Sequence, residues 1–246
     1  MDARFALTGA AAPDFGTLWE EMARTAFRTH RDYLGLPGTP VEWVDQYSVT
    51  DSPARRRPGG GEGGGEGAGR DAAPPDFASY RRRIADLTPK WRKVPDGATP
   101  FGDASVARSE IMIFNIADYG HTLMNDFFIA GGRFERAEFR SPQQVAALGK
   151  RVVINCTGLG ARALWKDETL VPVRGQIARL IPQPEVRYAL TYRHVLTVPR
   201  RDGLVVQSFA EGEGQGYGDT SEAPDRAEAE EAVGTLAELF SGRTAA

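Results

Sequence analysis

Cysteine occurs once in the 246 residues and histidine only three times, which excludes an intramolecular disulfide framework and any cysteine-rich metal site. The single thiol fits a reducing compartment, with the cytoplasm as the default location. His30, His121 and His194 are scattered at no metal-binding spacing, so no metal is expected. Charge of one sign is also missing: 30 Lys plus Arg against 33 Asp plus Glu leave a net charge of −3. Without a broad basic field, nucleic acid is not expected as a bulk partner. No apolar stretch approaches the roughly 18 to 20 residues of a membrane span, and MDARFALTGAAAPDFG has no basic region before an apolar run. Neither a membrane segment nor a signal peptide is expected. SGRTAA at the other end carries no peroxisomal tripeptide or lipidation box.

What is present suits a packed protein, since 41% of residues are hydrophobic and 26% charged, in a length that fits one large domain or two small ones. The sharpest change in composition falls at residues 53–76, where eight of the eleven residues from Gly59 to Gly69 are glycine. This reads as a flexible linker, and the run Arg55, Arg56, Arg57 within it as solvated surface. Residues 1–52 then form one region and 77–246 another. In the first, Asp14–Tyr33 has helical spacing with Asp14 as a cap, and VEWVDQYSV suits a strand with one buried face. After the linker, Phe77–Leu87 reads as helical, and Thr88–Thr99 as a loop carrying Trp91.

From residue 109 the order is strand, helix, strand, helix. SEIMIFNI is β-prone, Ala117–Ala130 has Tyr119, Leu123, Met124, Phe127 and Phe128 on one helical side, and Gly131 and Gly132 end that helix. Arg133–Phe139 alternates as a strand, and Ser141 and Pro142 open a helix as N-cap and first residue. RVVINC has the β-branched composition of a strand buried on both faces, and TGLGARAL reads as a glycine turn opening a helix. Residues 109–165 thus predict an α/β layer. Residues 171–210 hold RGQIARLI, YALTYRHVLTVP and GLVVQSFA, separated by Pro and Asp-Gly turns, which predict a mostly antiparallel sheet. Glu211–Asp219 predicts a mobile loop, its carboxylates lacking the spacing of a calcium loop. Pro224–Phe240 predicts an amphipathic helix with Ala229, Val233, Leu236, Ala237 and Phe240 on one face.

The strongest chemical signal is Asn155-Cys156-Thr157-Gly158-Leu159-Gly160-Ala161. The carboxyl ends of strands in an α/β sheet are where ligands bind, and glycines there admit a ligand to the backbone. A bare tight turn is an equally good reading of those residues alone. Cys156 reads as a small buried residue at a strand end.

NCTGLGARAL, followed by KDETLVPVRGQI and then VPRRDGLVV, resembles the middle and C-terminal part of the FAD-dependent D-amino-acid oxidase family, over roughly residues 110 to 240. The resemblance implies a mixed α/β (α+β) protein, with a partial FAD-binding Rossmann-like domain and a substrate domain built on an antiparallel sheet. It implies FAD contacts at Thr157, Gly158 and Gly160, an adenosine-flanking position at Phe139, and Arg174, Gly175 and Gln176 near the cofactor. Tyr192 falls where an active-site tyrosine of the family is found, and an ordinary strand tyrosine is the competing reading. Departures are expected too. The Gly-x-Gly-x-x-Gly turn that seats the FAD pyrophosphate does not precede Thr157, and the substrate-carboxylate Arg would lie beyond Phe240. A family tyrosine is replaced by Leu196, and paired glycines by Gln207 and Ser208.

The function expected from the resemblance is oxidative deamination of a D-amino acid, a small-molecule substrate, to a 2-oxo acid, ammonia and hydrogen peroxide. The rival is a truncated, non-catalytic remnant or binding module of the same fold. A homodimer or a complementing second chain are the protein partners this reading admits.

Overall fold

The computed structural model describes residues 4–6, 15–51, 77–99, 101, 102, 104–210 and 212–241. Its centre is a seven-stranded mixed sheet in the order β4-β5-β2-β7-β8-β9-β6. The strands are β2 (Val41–Thr50), β4 (Arg92–Lys93), β5 (Ser105–Phe114), β6 (Ala178–Leu180), β7 (Tyr188–Tyr192), β8 (Val195–Arg200) and β9 (Gly203–Ser208). Two further strands, β1 (Arg4–Ala6) and β3 (Phe77–Ser79), pair with each other. The helices are α1 (Phe15–Arg31), α2 (Ile116–Ile129), α3 (Pro142–Ala146), α4 (Gly160–Trp165) and α5 (Arg226–Phe240). The linker of residues 53–76, the cap Asp14 and the arginine run lie outside the described residues. Among those described, no helix is long and apolar enough to cross a membrane, and no cluster of His, Cys, Asp and Glu is placed to hold a metal.

The sheet follows the period-2 pattern of its sequences. β2 and β5 pair antiparallel from Val41 opposite Phe114 to Thr50 opposite Ser105. β7 then joins β2 in parallel, with Tyr47 beside Leu190 and Val49 beside Tyr192. All other pairs in the sheet are antiparallel. The expected antiparallel run from β6 to β9 is therefore present, and the strand read as opening a separate α/β layer, β5, belongs to the same sheet on the far side of β2. Val49, Leu190, Tyr192, Val195 and Val206 lie on one face under α5, whose Ala232, Leu236 and Leu239 pack on them. Burying each such aliphatic side chain contributes about 1.5 to 3 kcal/mol. The face of α5 differs from the sequence expectation: Ala232, Thr235 and Leu239 are buried, while Ala229 is half-buried and Ala237 and Phe240 are exposed. Alanines all round this helix leave its rotation to be set by the sheet.

α1 and α2 form where predicted. Gly131 (φ +85°) follows α2, and the amides of Gly131 and Gly132 return to the carbonyls of Phe128 and Phe127. Ser141 caps α3 by accepting from the Gln144 amide. Phe77–Leu87 is not a helix but β3 followed by a short 3-10 turn, Arg81–Ile84. Tertiary contacts override its propensity: Tyr80 stacks on Trp19 with ring centroids 5.8 Å apart, and the Arg24 guanidinium donates to the Arg83 carbonyl and the Asp86 carboxylate.

Two expected strands are absent. Residues 133–139 and 151–156 are irregular and lie outside the sheet, with Phe134 at 71% exposure and Val152 and Ile154 at 78% and 82%. A strand buried on both faces needs neighbours to bond its amides and carbonyls, and among the described residues no strand runs beside either segment. Cys156 is accordingly exposed, not buried. α2 shares this condition: none of its residues is buried, and Phe127 and Phe128 stand open. The layer read into residues 109–165 is thus represented by helices and extended chain without its own sheet.

Candidate functional site

Asn155 to Gly160 form an exposed turn. The Asn155 side-chain oxygen accepts from the Thr157 amide (3.3 Å) and from Thr157 Oγ1 (2.7 Å), a closed Asx turn of the kind short polar residues favour. Gly158 sits at φ +56°, and a side chain there would meet open space. The position thus demands glycine for the backbone conformation and leaves room above it. Gly160 begins α4, its amide bonded to the Thr157 carbonyl. Phe139 is half-buried just before α3, where the Arg140 amide donates to Gln144 Oε1 at 2.7 Å.

The Arg174-Gly175-Gln176 segment is built differently. From Val171 to Ile181 the chain is extended and alternates strictly, odd residues exposed and even ones less so. Arg174 and Gln176 turn inward to the start of α5. Arg174 Nη2 donates to the Ala223 carbonyl and to Gln176 Oε1, both at 3.0 Å, while Gln176 Nε2 donates to the Asp225 carbonyl (2.8 Å) and to Glu228 Oε2 (2.9 Å). The Asp225 amide donates back to Gln176 Oε1, and Asp225 caps α5 through the Glu228 amide.

The loop expected to be mobile, described here over residues 212–219, is instead stitched to this segment. The Arg174 amide donates to the Gly216 carbonyl and the Gly218 amide to the Pro172 carbonyl, around a bridge between Val173 and Tyr217. Gly216 (φ +75°) lies so close to the Arg174 carbonyl that a Cβ would overlap it. Glycine content here serves tight contact.

On its outer side the segment presents Val171, Val173, Gly175 and Ile177, all exposed, and a side chain at Gly175 would meet nothing. This ledge leads through β6 to the sheet face opposite α5. The pairing registers place Gln46, Ser48, Thr191, Leu196, Val198, Val205 and Gln207 on that face, all half-buried. Leu196 lies beside Gln207 on this surface, whereas Ser208, the other residue in place of the family's paired glycines, lies beside Val195 on the face under α5. Arg179 and Arg200, both paired with Asp202, close the β6 end of this face, and the neutral donors and acceptors mixed with aliphatic carbon beside them suit a small polar organic molecule.

Tyr192 belongs to the other face. It is 1% exposed, its hydroxyl donates to Asp51 Oδ1 at 2.6 Å, and Arg193 lies over its ring while bonding Asp51 and Glu238. Burial first, and the bond to Asp51 second, push the phenol pKa up to about 12. The cluster ties the β7–β8 turn to Asp51, just past β2, and to α5. His194 pairs with Glu231 on α5, and His30 packs edge-on against Phe114.

No hydrogen bond or ion pair among the described residues joins the Thr157–Gly160 turn to the Arg174–Gln176 segment. A shallow cavity of about 660 Å³ lies along α1, by Met22, Arg24, Thr25 and His30, and contains none of the residues expected from the sequence. Sequence reasoning missed Glu228 and Gln215, whose spacing from Gln176 gives no local signal.

The family model of the FAD dependent oxidoreductases (DAO) matches residues 59–246, and the chain belongs to that family. It is 31% identical over 160 residues to a D-amino-acid oxidase of Rubrobacter xylanophilus, covering 61% of this chain and 47% of that protein. It is 36% identical over 81 residues to a D-amino acid oxidase of Dugesia ryukyuensis, covering 32% of this chain and 24% of that protein. A D-amino-acid oxidase of Dictyostelium discoideum is 32% identical over 103 residues, or 42% and 27% of the two chains. The chain spans about half the length of these relatives or less.

Proposed function

We propose that this member of the FAD dependent oxidoreductase family takes part in oxidative deamination of D-amino acids, contributing the sheet on which the substrate lies. The observation that carries the reading is the ledge of Val171, Val173 and Ile177 around Gly175, continuous with a half-buried sheet face of neutral and aliphatic side chains that Arg179 and Arg200, both paired with Asp202, border at the β6 edge. The residues present fit part of a flavin site: Gly158 and Gly175 each leave open space at the backbone, as a flat or close-lying group requires. Thr157, Gly158 and Gly160 would lie along the cofactor on one side, with Gly175 and its apolar neighbours on the other. When bound, FAD supplies a two-electron acceptor for a hydride leaving the substrate Cα.

The chain's own part is placement. Val171, Val173 and Ile177 exclude water from whatever they cover, and Gln46, Thr191 and Gln207 offer neutral hydrogen-bonding groups across the sheet. The product imine hydrolyses to a 2-oxo acid and ammonia, and dioxygen takes the electrons to give peroxide. A cytoplasmic setting accords with the lone, exposed Cys156. The named relatives, all D-amino-acid oxidases, support the substrate class.

A second reading, a non-catalytic binding module, draws on the open Val152 and Ile154 and the open apolar side of α2. These would be covered by a second copy or a complementing chain. The deciding experiment is a visible absorbance spectrum of the purified chain with FAD added and the excess removed, followed by D-amino acids with peroxide detection. Retained flavin and peroxide formation support the oxidase. A folded chain that retains no flavin, alone or with a partner, favours the binding module.

A further inference from the structure

Glu228 gathers three pieces of chain that are far apart in sequence. Its two carboxylate oxygens accept from Gln176 Nε2 (2.9 Å) and Gln215 Nε2 (2.8 Å), and the Arg174 guanidinium lies 3.8 Å away. Gln176 and Arg174 flank Gly175, Gln215 belongs to the glycine loop stitched beneath that segment, and Glu228 itself is in the first turn of α5. A carboxylate at a helix start is favoured by the helix dipole and by the surrounding donors. An acceptor-only group is what two amide donors and a guanidinium need, so no neutral residue of the same length satisfies all three.

We infer that Glu228 is a positioning residue for the cofactor-facing edge: it holds the side chains of Arg174 and Gln176 inward, and Gly175 is thereby held outward at a fixed height on the ledge. The side chains of Arg174 and Gln176 then serve the latch, and the contact surface is the backbone at Gly175 with Val173 and Ile177. Alternation in an extended chain enforces this, because turning residues 174 and 176 to one side turns residues 173, 175 and 177 to the other.

The inference rests on the oxidase reading for its functional half and on geometry for its latch half, and one set of variants separates them. Glu228→Ala and Glu228→Gln are compared with the unaltered full chain by amide hydrogen exchange and by FAD titration, with circular dichroism as the check on folding. Glu228→Ala is expected to speed exchange at the Arg174 and Gly218 amides by about tenfold or more and to weaken FAD binding about tenfold. Glu228→Gln keeps one acceptor but sets an amide donor against the other and removes the charge beside Arg174, so it should recover only part of both. Unchanged exchange in a folded Glu228→Ala chain overturns the latch. Faster exchange with FAD affinity unchanged overturns the positioning role. An unaltered chain that binds no FAD overturns the oxidase reading and with it the positioning role, while the exchange comparison still decides the latch.

Discussion

In the hairpin of β8 and β9, Val195 and Val206 are 0% and 1% exposed, whereas Val152 and Ile154 stand at 78% and 82%. Both regions are short runs of β-branched residues, and as isolated strings they have equal claim to be strands. What separates them is company. Val195 and Val206 have bonded neighbours on either side and Ala232 of α5 above, whereas residues 151–156 have no strand beside them among the described residues. Strand propensity therefore reports suitability for a sheet, and the sheet itself comes from partners.

The largest effect that tests this contrast is a pair of truncations. Leu190 is 1% exposed and packs with Val49, Tyr192 and Leu239, so Leu190→Ala should destabilise the chain by about 2 to 5 kcal/mol. Ile154→Ala removes a comparable side chain from an open segment and should change stability by less than about 0.5 kcal/mol. Urea unfolding of both variants decides it. A large loss from Ile154→Ala would mean that this segment is packed in solution and that the contrast between the two regions is false.

A smaller effect sharpens the contrast at the edge of the open region. Gly158 has nothing around a would-be side chain but holds φ +56°, so Gly158→Leu should cost about 1 to 2 kcal/mol of backbone strain while leaving the fold intact. Under the proposed function it also places bulk where the cofactor comes close. Flavin retention, read from the visible spectrum, should be lost in a chain whose circular dichroism is unchanged. Retained flavin would remove Gly158 from the cofactor side.

The parts of the fold legible in the sequence are those whose partners are near in the chain or whose pattern is self-sufficient. The hairpin of β8 and β9 follows from alternation and Asp202-Gly203, whereas the turn at Arg193 and His194 that divides YALTYRHVLTVP into β7 and β8 carries no Gly or Pro signal. The extent of α1 was legible, but Trp19 is buried while Leu18 and Met22 of the expected apolar stripe are exposed. Long-range features were hidden. The parallel pairing of β2 with β7 joins residues 45–49 to residues 188–192, and no local signal announces it. The rotation of α5 was ambiguous because alanine is tolerated on either face. For the site, Thr157 to Gly160 were readable as a turn, and the Arg174–Gln176 segment as a strand entry. The hold of Glu228 on that segment spans 52 residues and is visible only in three dimensions. The Tyr192 position was legible, but its direction was not: one residue of register decides which sheet face a side chain occupies.

That direction gives the smallest of the predicted effects, and the one most specific to the packed region. The Tyr192 phenol is raised to about 12 by burial and by its bond to Asp51, against an ordinary value near 10. The folded state thus favours the protonated phenol. Its contribution to stability is complete below pH 10 and is lost as pH rises toward 12, because the unfolded chain releases that proton first. Tyr192→Phe keeps the ring under Arg193 but deletes the hydroxyl, so it should cost about 1 kcal/mol at neutral pH and should flatten the alkaline fall. Urea unfolding of both proteins at several pH values between 8 and 11.5 measures the difference in slope. Equal slopes would show that the Tyr192 hydroxyl is not buried against Asp51, and would turn this side chain back toward the opposite face of the sheet, where Leu196 and Gln207 lie.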